Sequence, residues 1–377
     1  MQVDILEKKA KDVLRQVRSL RNLIRPANRL PPEVLASCAG FVSDADPRPI
    51  VPLTHVCRYR RESIISNPGN WKSIGIDWKK LVPLCLERAG AVPLVVDIAV
   101  PDCKRDETFL NSLLPHVPRI GSLRLTGYSS VETVADDLPG FFASPMLRLT
   151  SLDLQQTTEP AQLFPSDHSP LPPPFLAVSK LKSLSLTQTP LYPILFTITS
   201  LVELRLIGYT SPFHFDTFLG LLVSNPGLEL VALDIQFVTD SVETPPERTV
   251  PLLRLQHLSI TCSKAIDSRG LLSCVSLPRG VHLEVEITRA GQPLQLVSFL
   301  PSPPTPIQNL LAPITIIKTQ LTPQELRLFG NGSVFTFRSQ KTSLPVHSEW
   351  CHFPAPKFAY FTQTSTRMGT TMLVYPR

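Results

Sequence analysis

The stretch that decides the N-terminal fold runs from Arg29 to Trp71 and contains LPPEVL at residues 30–35, LTHVCRY at 53–59 and PGNW at 68–71. Pro31 and Pro32 suit the first turn of a helix, where a backbone N–H has no partner to lose. Glu33 then lies near the positive end of the helix dipole. We therefore predict a helix that begins at this pair of prolines and carries its apolar residues on one face.

Two further short helices are predicted after a break at residues 43–49, which contain two prolines and two aspartates. Leu53 and Val56 mark the second helix, and Ile64 with Ile65 marks the third. Three helices in about forty residues cannot bury this apolar surface by themselves. The segment therefore either docks on another protein or packs on the domain that follows.

This ordered series resembles an F-box, the helical module that joins a protein to a cullin ubiquitin ligase. The resemblance implies that residues 29–72 bind an SKP-family adaptor and, through it, a cullin. F-boxes usually carry Trp two residues after the position of Arg58, where this chain has Arg60. An arginine can pack its aliphatic stem and keep its charge in water, so we expect the fold to be retained. The resemblance implies these adaptor-binding residues: Leu30, Pro31, Pro32, Val34, Leu35, Phe41, Leu53, Val56, Cys57 and Trp71.

Composition points to a folded protein of two or more domains. The chain has 377 residues, of which 43% are hydrophobic and 18% charged. Its 39 prolines argue against long helices beyond the N-terminus. No apolar run is long enough to predict a membrane span, and the first residues do not resemble a secretory signal.

Seven cysteines are scattered along the chain without a Cys-x-x-Cys pair. This usage predicts reduced thiols in a cytoplasmic and/or nuclear protein. The net charge is +6, and residues 1–30 contribute most of it, with eight basic and three acidic side chains. The rest of the chain is close to neutral, which argues against a nucleic-acid partner.

Residues 1–28 are predicted to form an amphipathic helix with a heptad pattern. Its apolar seam is Val3, Leu6, Ala10, Val13, Val17, Leu20 and Ile24. The seam indicates either a coiled-coil dimer through residues 3–24 or a helix that lies on the rest of the chain. A basic amphipathic helix could also contact a membrane or nucleic acid, and we expect neither of these partners here.

A leucine repeat organises residues 73–300. Repeats with irregular spacing are typical of a leucine-rich-repeat solenoid, in which each unit supplies a short parallel strand. We therefore predict an α/β fold with an N-terminal helix, a three-helix F-box and a horseshoe-like solenoid; an ordinary parallel α/β domain is the alternative. Residues 301–377 are expected to be an irregular extension or final repeats. The repeats begin Ile120/Leu123/Leu125, Leu149/Leu152/Leu154, Leu181/Leu184/Leu186, Leu201/Leu204/Leu206, Leu230/Leu233/Ile235 and Leu255/Leu258/Ile260.

The residues between the leucines should point to the concave face of such a solenoid. They are mostly polar and of mixed charge, which favours a protein partner over nucleic acid. We predict that four charged residues at matching positions of successive strands line one row: Arg124, Asp153, Arg205 and Asp234. The predicted substrate-binding residues are Arg124, Asp153, Arg205, Asp234 and His257.

Motifs that would predict an enzyme are missing from the sequence. It has no Gly-x-Ser-x-Gly, no phosphate-binding glycine loop and no His-Glu-x-x-His. The histidines and cysteines lack the spacing of a zinc site. We expect no cofactor, no metal and no catalytic residue.

The whole pattern is similar to fungal F-box proteins with a leucine-rich-repeat-like solenoid. That resemblance implies the substrate-recognition subunit of an SCF-type E3 ubiquitin ligase, with an unknown protein as substrate. A protein-interaction scaffold with a degenerate F-box, uncoupled from any ligase, is the alternative.

Overall fold

The protein is of the α/β class, with helices and parallel strands, in a computed structural model. The structure describes residues 2–43, 50–103, 107–128, 138, 140–141, 144–156, 180–189, 198–213, 215–237, 249–262, 265–278, 280–287, 317–321, 325–330, 333–339, 358–366 and 369–376. Most of the break predicted at residues 43–49 and the proline-rich stretch at 301–306 lie outside these residues.

The chain divides into two compact units. The first contains residues 1–123 and 146–148, and the second contains residues 124–145 and 149–377.

Helices and 3-10 turns dominate the first unit. The helices are α1 (Gln2–Ile24), α2 (Pro32–Ser43), α3 (Ile50–Thr54), α4 (Arg58–Ile65), α5 (Val82–Ala89), α6 (Val100–Cys103) and α7 (Glu107–Leu113). The 3-10 helices are Pro26–Asn28, Pro68–Trp71, Ile76–Leu81 and Leu114–Arg119. The strands are β1 (Ser73–Gly75), β2 (Leu94–Ala99) and the start of β3 (Ile120–Tyr128).

Helices α2, α3 and α4 pack on one another around a small core. Trp71 closes this core: its side chain is 2% exposed, and its indole N–H donates to the carbonyl of Ile64 at 3.3 Å. Asn70 donates to the same carbonyl at 3.2 Å, so the end of α4 is held by two buried side chains. The 3-10 turn starts where Asn67 Oδ1 accepts the N–H of Gly69. The other core residues of this segment are Ala36, Ala39, Ile50 and Ile64.

The rest of the first unit is a β-α arrangement. Strands β1 and β2 are parallel, with Ser73 opposite Val95 and Gly75 opposite Asp97. Helix α5 buries Cys85, and this burial raises the pKa of the thiol to about 11. A thiol with so high a pKa is a packing group rather than a nucleophile.

The second unit is built mainly from strands. They are the remainder of β3, β4 (Ser151–Gln156), β5 (Ser183–Thr187), β6 (Glu203–Phe213), β7 (Leu230–Phe237), β8 (Val250–Pro251), β9 (His257–Cys262), β10 (Val275–Ser276), β11 (His282–Ile287), β12 (Ile317–Leu321), β13 (Glu325–Gly330), β14 (Ser333–Ser339), β15 (Phe358–Thr366) and β16 (Gly369–Pro376). Two helices are described, α8 (Phe215–Ser224) and α9 (Ala265–Cys274).

Parallel pairing runs in the order β4-β5-β6-β7-β9-β11-β14. The order then continues β13-β12-β16-β15 with antiparallel pairs. Strands β8 and β10 form a separate parallel pair. The short strands that follow the leucine pattern are thus side by side and in sequence order from β4 to β7.

The parallel strands alternate buried and partly exposed residues, because successive side chains of a strand point to opposite faces. Their buried positions stack in two rows, which we call the buried ladder. Its first row is Leu152, Leu184, Leu204, Val231, Leu258 and Leu283, and its second is Leu154, Leu186, Leu206, Leu233, Ile260 and Val285.

One predicted repeat is out of register by two residues. The spacing predicted that Leu233 and Ile235 match Leu204 and Leu206, but Val231 lies opposite Leu204 and Leu233 lies opposite Leu206. The repeat therefore begins at Leu228, which is fully buried. The corrected starts lie 27 residues after Leu201 and 27 residues before Leu255, instead of the predicted 29 and 25.

Candidate protein-interaction surfaces

The three-helix segment of the first unit exposes large apolar side chains. Val34 and Phe41 are seven residues apart on α2 and so share a face; they are 42% and 82% exposed. Leu30 and Val56 are also exposed, at 39% and 51%. We call Leu30, Val34, Phe41 and Val56 the exposed apolar set.

Hydrogen bonds fix the start of this segment against α4. The Tyr59 hydroxyl donates to the carbonyl of Leu30 at 2.7 Å, which ties the residue before the prolines to α4. Arg61 donates to the carbonyl of Thr54 at 2.8 Å and so connects α4 to the end of α3. The backbone of Leu30 is therefore held in place by its hydrogen bond to α4.

The structure places the other predicted adaptor residues in different environments. Pro31 and Pro32 are exposed, whereas Leu35, Leu53 and Cys57 are half-buried. Trp71 is a correction to the sequence-based prediction, because its side chain is buried and hydrogen-bonded inside the unit. It stabilises the segment rather than offering a surface to a partner.

Arg60 makes an internal contact that the sequence did not predict. Its Nε donates to Asn28 Oδ1 at 2.9 Å, and Asn28 Nδ2 donates to the carbonyl of Asn22 at 2.7 Å. Cys57 lies beside the same Asn28 oxygen. The side chain at the position where F-boxes usually have Trp therefore joins α4 to the link between α1 and α2.

The second unit presents a polar face opposite the buried ladder. Its central row follows the strand register as Asp153, Ser185, Arg205, Ala232, Ser259 and Glu284. Arg124 reaches this row through an ion pair, with its Nε 3.3 Å from an Asp153 oxygen. Asp153 also accepts a hydrogen bond from the side-chain amide Nε2 of Gln155 at 3.0 Å. Arg205 is exposed between Ser185 and Ala232.

Asp234 is not in the central row. It lies opposite Thr261, two residues further along its strand, while Ala232 takes the place opposite Arg205. The prediction that Arg124, Asp153, Arg205 and Asp234 line one row is therefore wrong for Asp234. The cause is the two-residue shift of its repeat.

Asp234 lies instead beside the middle of β6, where the pairing of β6 with β7 shifts register. It accepts the N–H of Gly208 at 3.2 Å, and Gly208 has φ 71°, a conformation that glycine adopts without strain. A Cβ on Gly208 would also lie 3.1 Å from the Gln188 side chain. Burial raises the pKa of Asp234 above its ordinary value; the Gly208 N–H opposes this rise and Glu286 adds to it.

His257 lies in the row next to the central one. Its ring stacks on His282 of the neighbouring strand, with centroids 4.6 Å apart. Its Nδ1 is 3.3 Å from the carbonyl oxygen of His282. In the same row, the Ser183 hydroxyl donates to Glu203 at 3.1 Å.

Asn225 is a structural residue that sequence reasoning missed. Its side chain is fully buried; its oxygen accepts the N–H of Leu201 at 3.0 Å, and its amide donates to the carbonyls of Ile198 and Leu221 at 2.8 and 2.9 Å. The signal in the sequence is Asn225-Pro226-Gly227, a pattern that by itself predicts only the end of a helix. A buried asparagine there connects the end of α8 to the segment that leads into β6.

Within the described residues, no group of three or more His, Cys, Asp or Glu is arranged to hold a metal ion. In the same part of the chain, no helix combines the length and apolar character needed to cross a membrane. The protein-family models searched include none that matches this chain, and the curated proteins searched include none with a similar sequence.

Proposed function

We propose that this protein is the substrate-recognition subunit of an SCF-type ubiquitin ligase. In this proposal residues 29–72 are an F-box that docks an SKP-family adaptor, and the strand repeats of the second unit form a leucine-rich-repeat-like solenoid that binds a protein substrate. The protein itself does no covalent chemistry. The observation that carries the proposal is the exposed apolar set on a three-helix segment whose sequence resembles an F-box.

The apolar set supports docking because several large apolar side chains exposed on one small module commonly mark an interaction site. Leu30 is held by the bond from Tyr59, and Val34 and Phe41 share one face of α2. A backbone that is already held in place loses less conformational freedom on binding. Buried Trp71 holds the helices together beneath them.

The test of adaptor docking is co-purification of the full chain with an SKP-family adaptor and a cullin. Replacing Leu30 and Pro31 by Ala should weaken adaptor binding at least about tenfold, since both belong to the proposed contact. Leu253→Ala is the matched control, because Leu253 is equally apolar and 74% exposed in the second unit. Failure of the wild-type protein to bind the adaptor would reject the ligase proposal.

The polar face of the second unit is the proposed substrate surface. It combines both signs of charge, with Arg205 exposed and Arg124 paired to Asp153. Arg205→Glu should change the set of captured proteins while adaptor binding persists, because the two surfaces belong to different units. The comparison is mass spectrometry of proteins captured by wild type, Arg205→Glu and the conservative Arg205→Lys. Identical sets would place the substrate site elsewhere on the chain.

A scaffold without ligase coupling is the second candidate, and Arg60 favours it. The guanidinium bonds to Asn28 and places a charge where F-boxes usually offer an aromatic anchor. Under this hypothesis the second unit still captures proteins, but no adaptor or cullin accompanies them. The co-purification experiment separates the two functions.

A further inference from the structure

Helix α1 exposes its whole heptad seam. The six large seam side chains are between 55% and 75% exposed, and Ala10 is exposed as well. An exposed apolar stripe of this length on a helix of 23 residues requires a partner surface. The large seam residues are Val3, Leu6, Val13, Val17, Leu20 and Ile24.

Charge along α1 is strongly uneven. Residues 2–13 contain three acidic and three basic side chains, whereas residues 14–25 contain four arginines and no acid. Two copies aligned in parallel would place the arginine-rich halves side by side. Two copies aligned in opposite directions place each arginine-rich half beside a neutral half, which lowers the repulsion.

We propose that α1 forms an antiparallel coiled coil with a second copy of this chain. In the best register, residues whose numbers add up to thirty face one another across the seam. Leu6 then packs on Ile24 of the second copy, Ala10 on Leu20, and Val13 on Val17. The small Ala10 meets the large Leu20, whereas a parallel pair would stack Ala10 on Ala10 and leave a void.

The residues that flank the seam support this register. Glu7 and Arg21 each directly follow a leucine of the seam, so both flank the seam on the same side, and in this register each Glu7 lies beside Arg21 of the second copy. Leu14 occupies the same kind of position, is 49% exposed, and meets Leu14 of the second copy at the symmetry axis. In a parallel pair, Glu7 would face Gln2 and Arg21 would face Gln16, so neither charge would gain an opposite partner.

The dimer stands independently of the proposed ligase function, because it rests on α1 alone. If both proposals hold, one assembly carries two adaptor surfaces and two substrate surfaces.

Sedimentation velocity of the full chain tests the dimer and its charge pair. Wild type should show a concentration-dependent monomer–dimer equilibrium. Glu7→Arg should raise the dissociation constant by roughly tenfold, because two symmetry-related attractions become repulsions. The double variant Glu7→Arg with Arg21→Glu should restore dimerisation. Lys11→Ala is the matched control, since Lys11 pairs with Glu7 within the helix and its removal should leave the dissociation constant within about twofold.

Cysteine crosslinking tests the direction of the helices. In a Cys38→Ser background, which removes an exposed thiol, a protein with Leu6→Cys is mixed with a protein with Ile24→Cys and treated with a short bis-maleimide. The antiparallel register predicts a crosslink between the two variants. Residues 6 and 24 of a parallel pair are about 27 Å apart along the axis, so such a pair would crosslink only like with like. A like-with-like product from Ile24→Cys, or a wild-type monomer at high concentration, would overturn the proposal.

Discussion

Replacement of Asn225 by Ala should destabilise the second unit severely. The change removes one acceptor and two donors from a fully buried site, which leaves the N–H of Leu201 and the carbonyls of Ile198 and Leu221 without these partners. A buried polar group that loses its partner costs about 1–3 kcal/mol. Because such terms are not additive, we expect a total loss of about 3–5 kcal/mol.

Urea unfolding followed by circular dichroism measures this loss. With a slope of about 3 kcal/mol per molar urea, the midpoint should fall by at least about 1 M. The matched control is Val223→Ala on the same helix, which removes an exposed side chain and should shift stability by no more than about 0.5 kcal/mol.

Hydrogen exchange supplies a local readout for the same variant. The amide of Leu201 donates to the Asn225 side chain. Its protection should therefore fall more than that of Leu230, whose N–H donates to the backbone carbonyl of Val202 at 3.1 Å. A midpoint change equivalent to less than about 1 kcal/mol, with Leu201 still protected, would refute the argument that this asparagine holds the two segments together.

Two other substitutions test separate parts of the molecule. Arg60→Trp should tighten binding to the SKP-family adaptor by on the order of 1 kcal/mol or more, measured by calorimetry. The control Asn28→Ala removes the same internal hydrogen bond without adding an aromatic ring. Tighter binding in both variants would contradict the explanation that the aromatic ring anchors the adaptor. Asp234→Asn should raise the urea midpoint at pH 7. The pKa of Asp234 is raised in the folded protein, so stability is lost as pH rises through that folded-state pKa and the carboxyl ionises. Asparagine cannot ionise and therefore keeps this stability. The difference should vanish below about pH 4, where the carboxyl is protonated in both states; a difference that persists there would show that packing, not ionisation, is responsible.

Most of the parallel strands could be predicted from sequence because their buried positions alternate with polar ones. In β4, β5 and β6 only one alternation of buried and polar residues fits the sequence, and the strands follow it. It is set by the pairs Leu152/Leu154, Leu184/Leu186 and Leu204/Leu206. Strand β7 could not be placed in this way. Its apolar residues fit two placements of the repeat, one that begins at Leu228 and one that begins at Leu230, and only the pairing with β6 decides between them.

The helical segment shows a different limit of sequence reasoning. Helical spacing predicted that Val34 and Phe41 share a face, because that is a property of one helix. Whether Trp71 points inward or outward depends on how three helices pack, and the contact between Arg60 and Asn28 joins residues 32 positions apart. Such information lies in tertiary packing rather than in any local pattern.

The buried ladder has a consequence for how readily this protein can acquire new partners. The residues directly before and after each ladder residue point to the opposite face of the sheet. An outward side chain such as Ser185 or Arg205 can therefore change without altering the volume of the core. A library randomised at outward positions of β5 and β6 should therefore contain mostly folded members, while one randomised at Leu184 and Leu204 should contain few. The strand repeats thus separate the mutations that alter recognition from the mutations that threaten folding, which makes this face a favourable starting point for directed evolution.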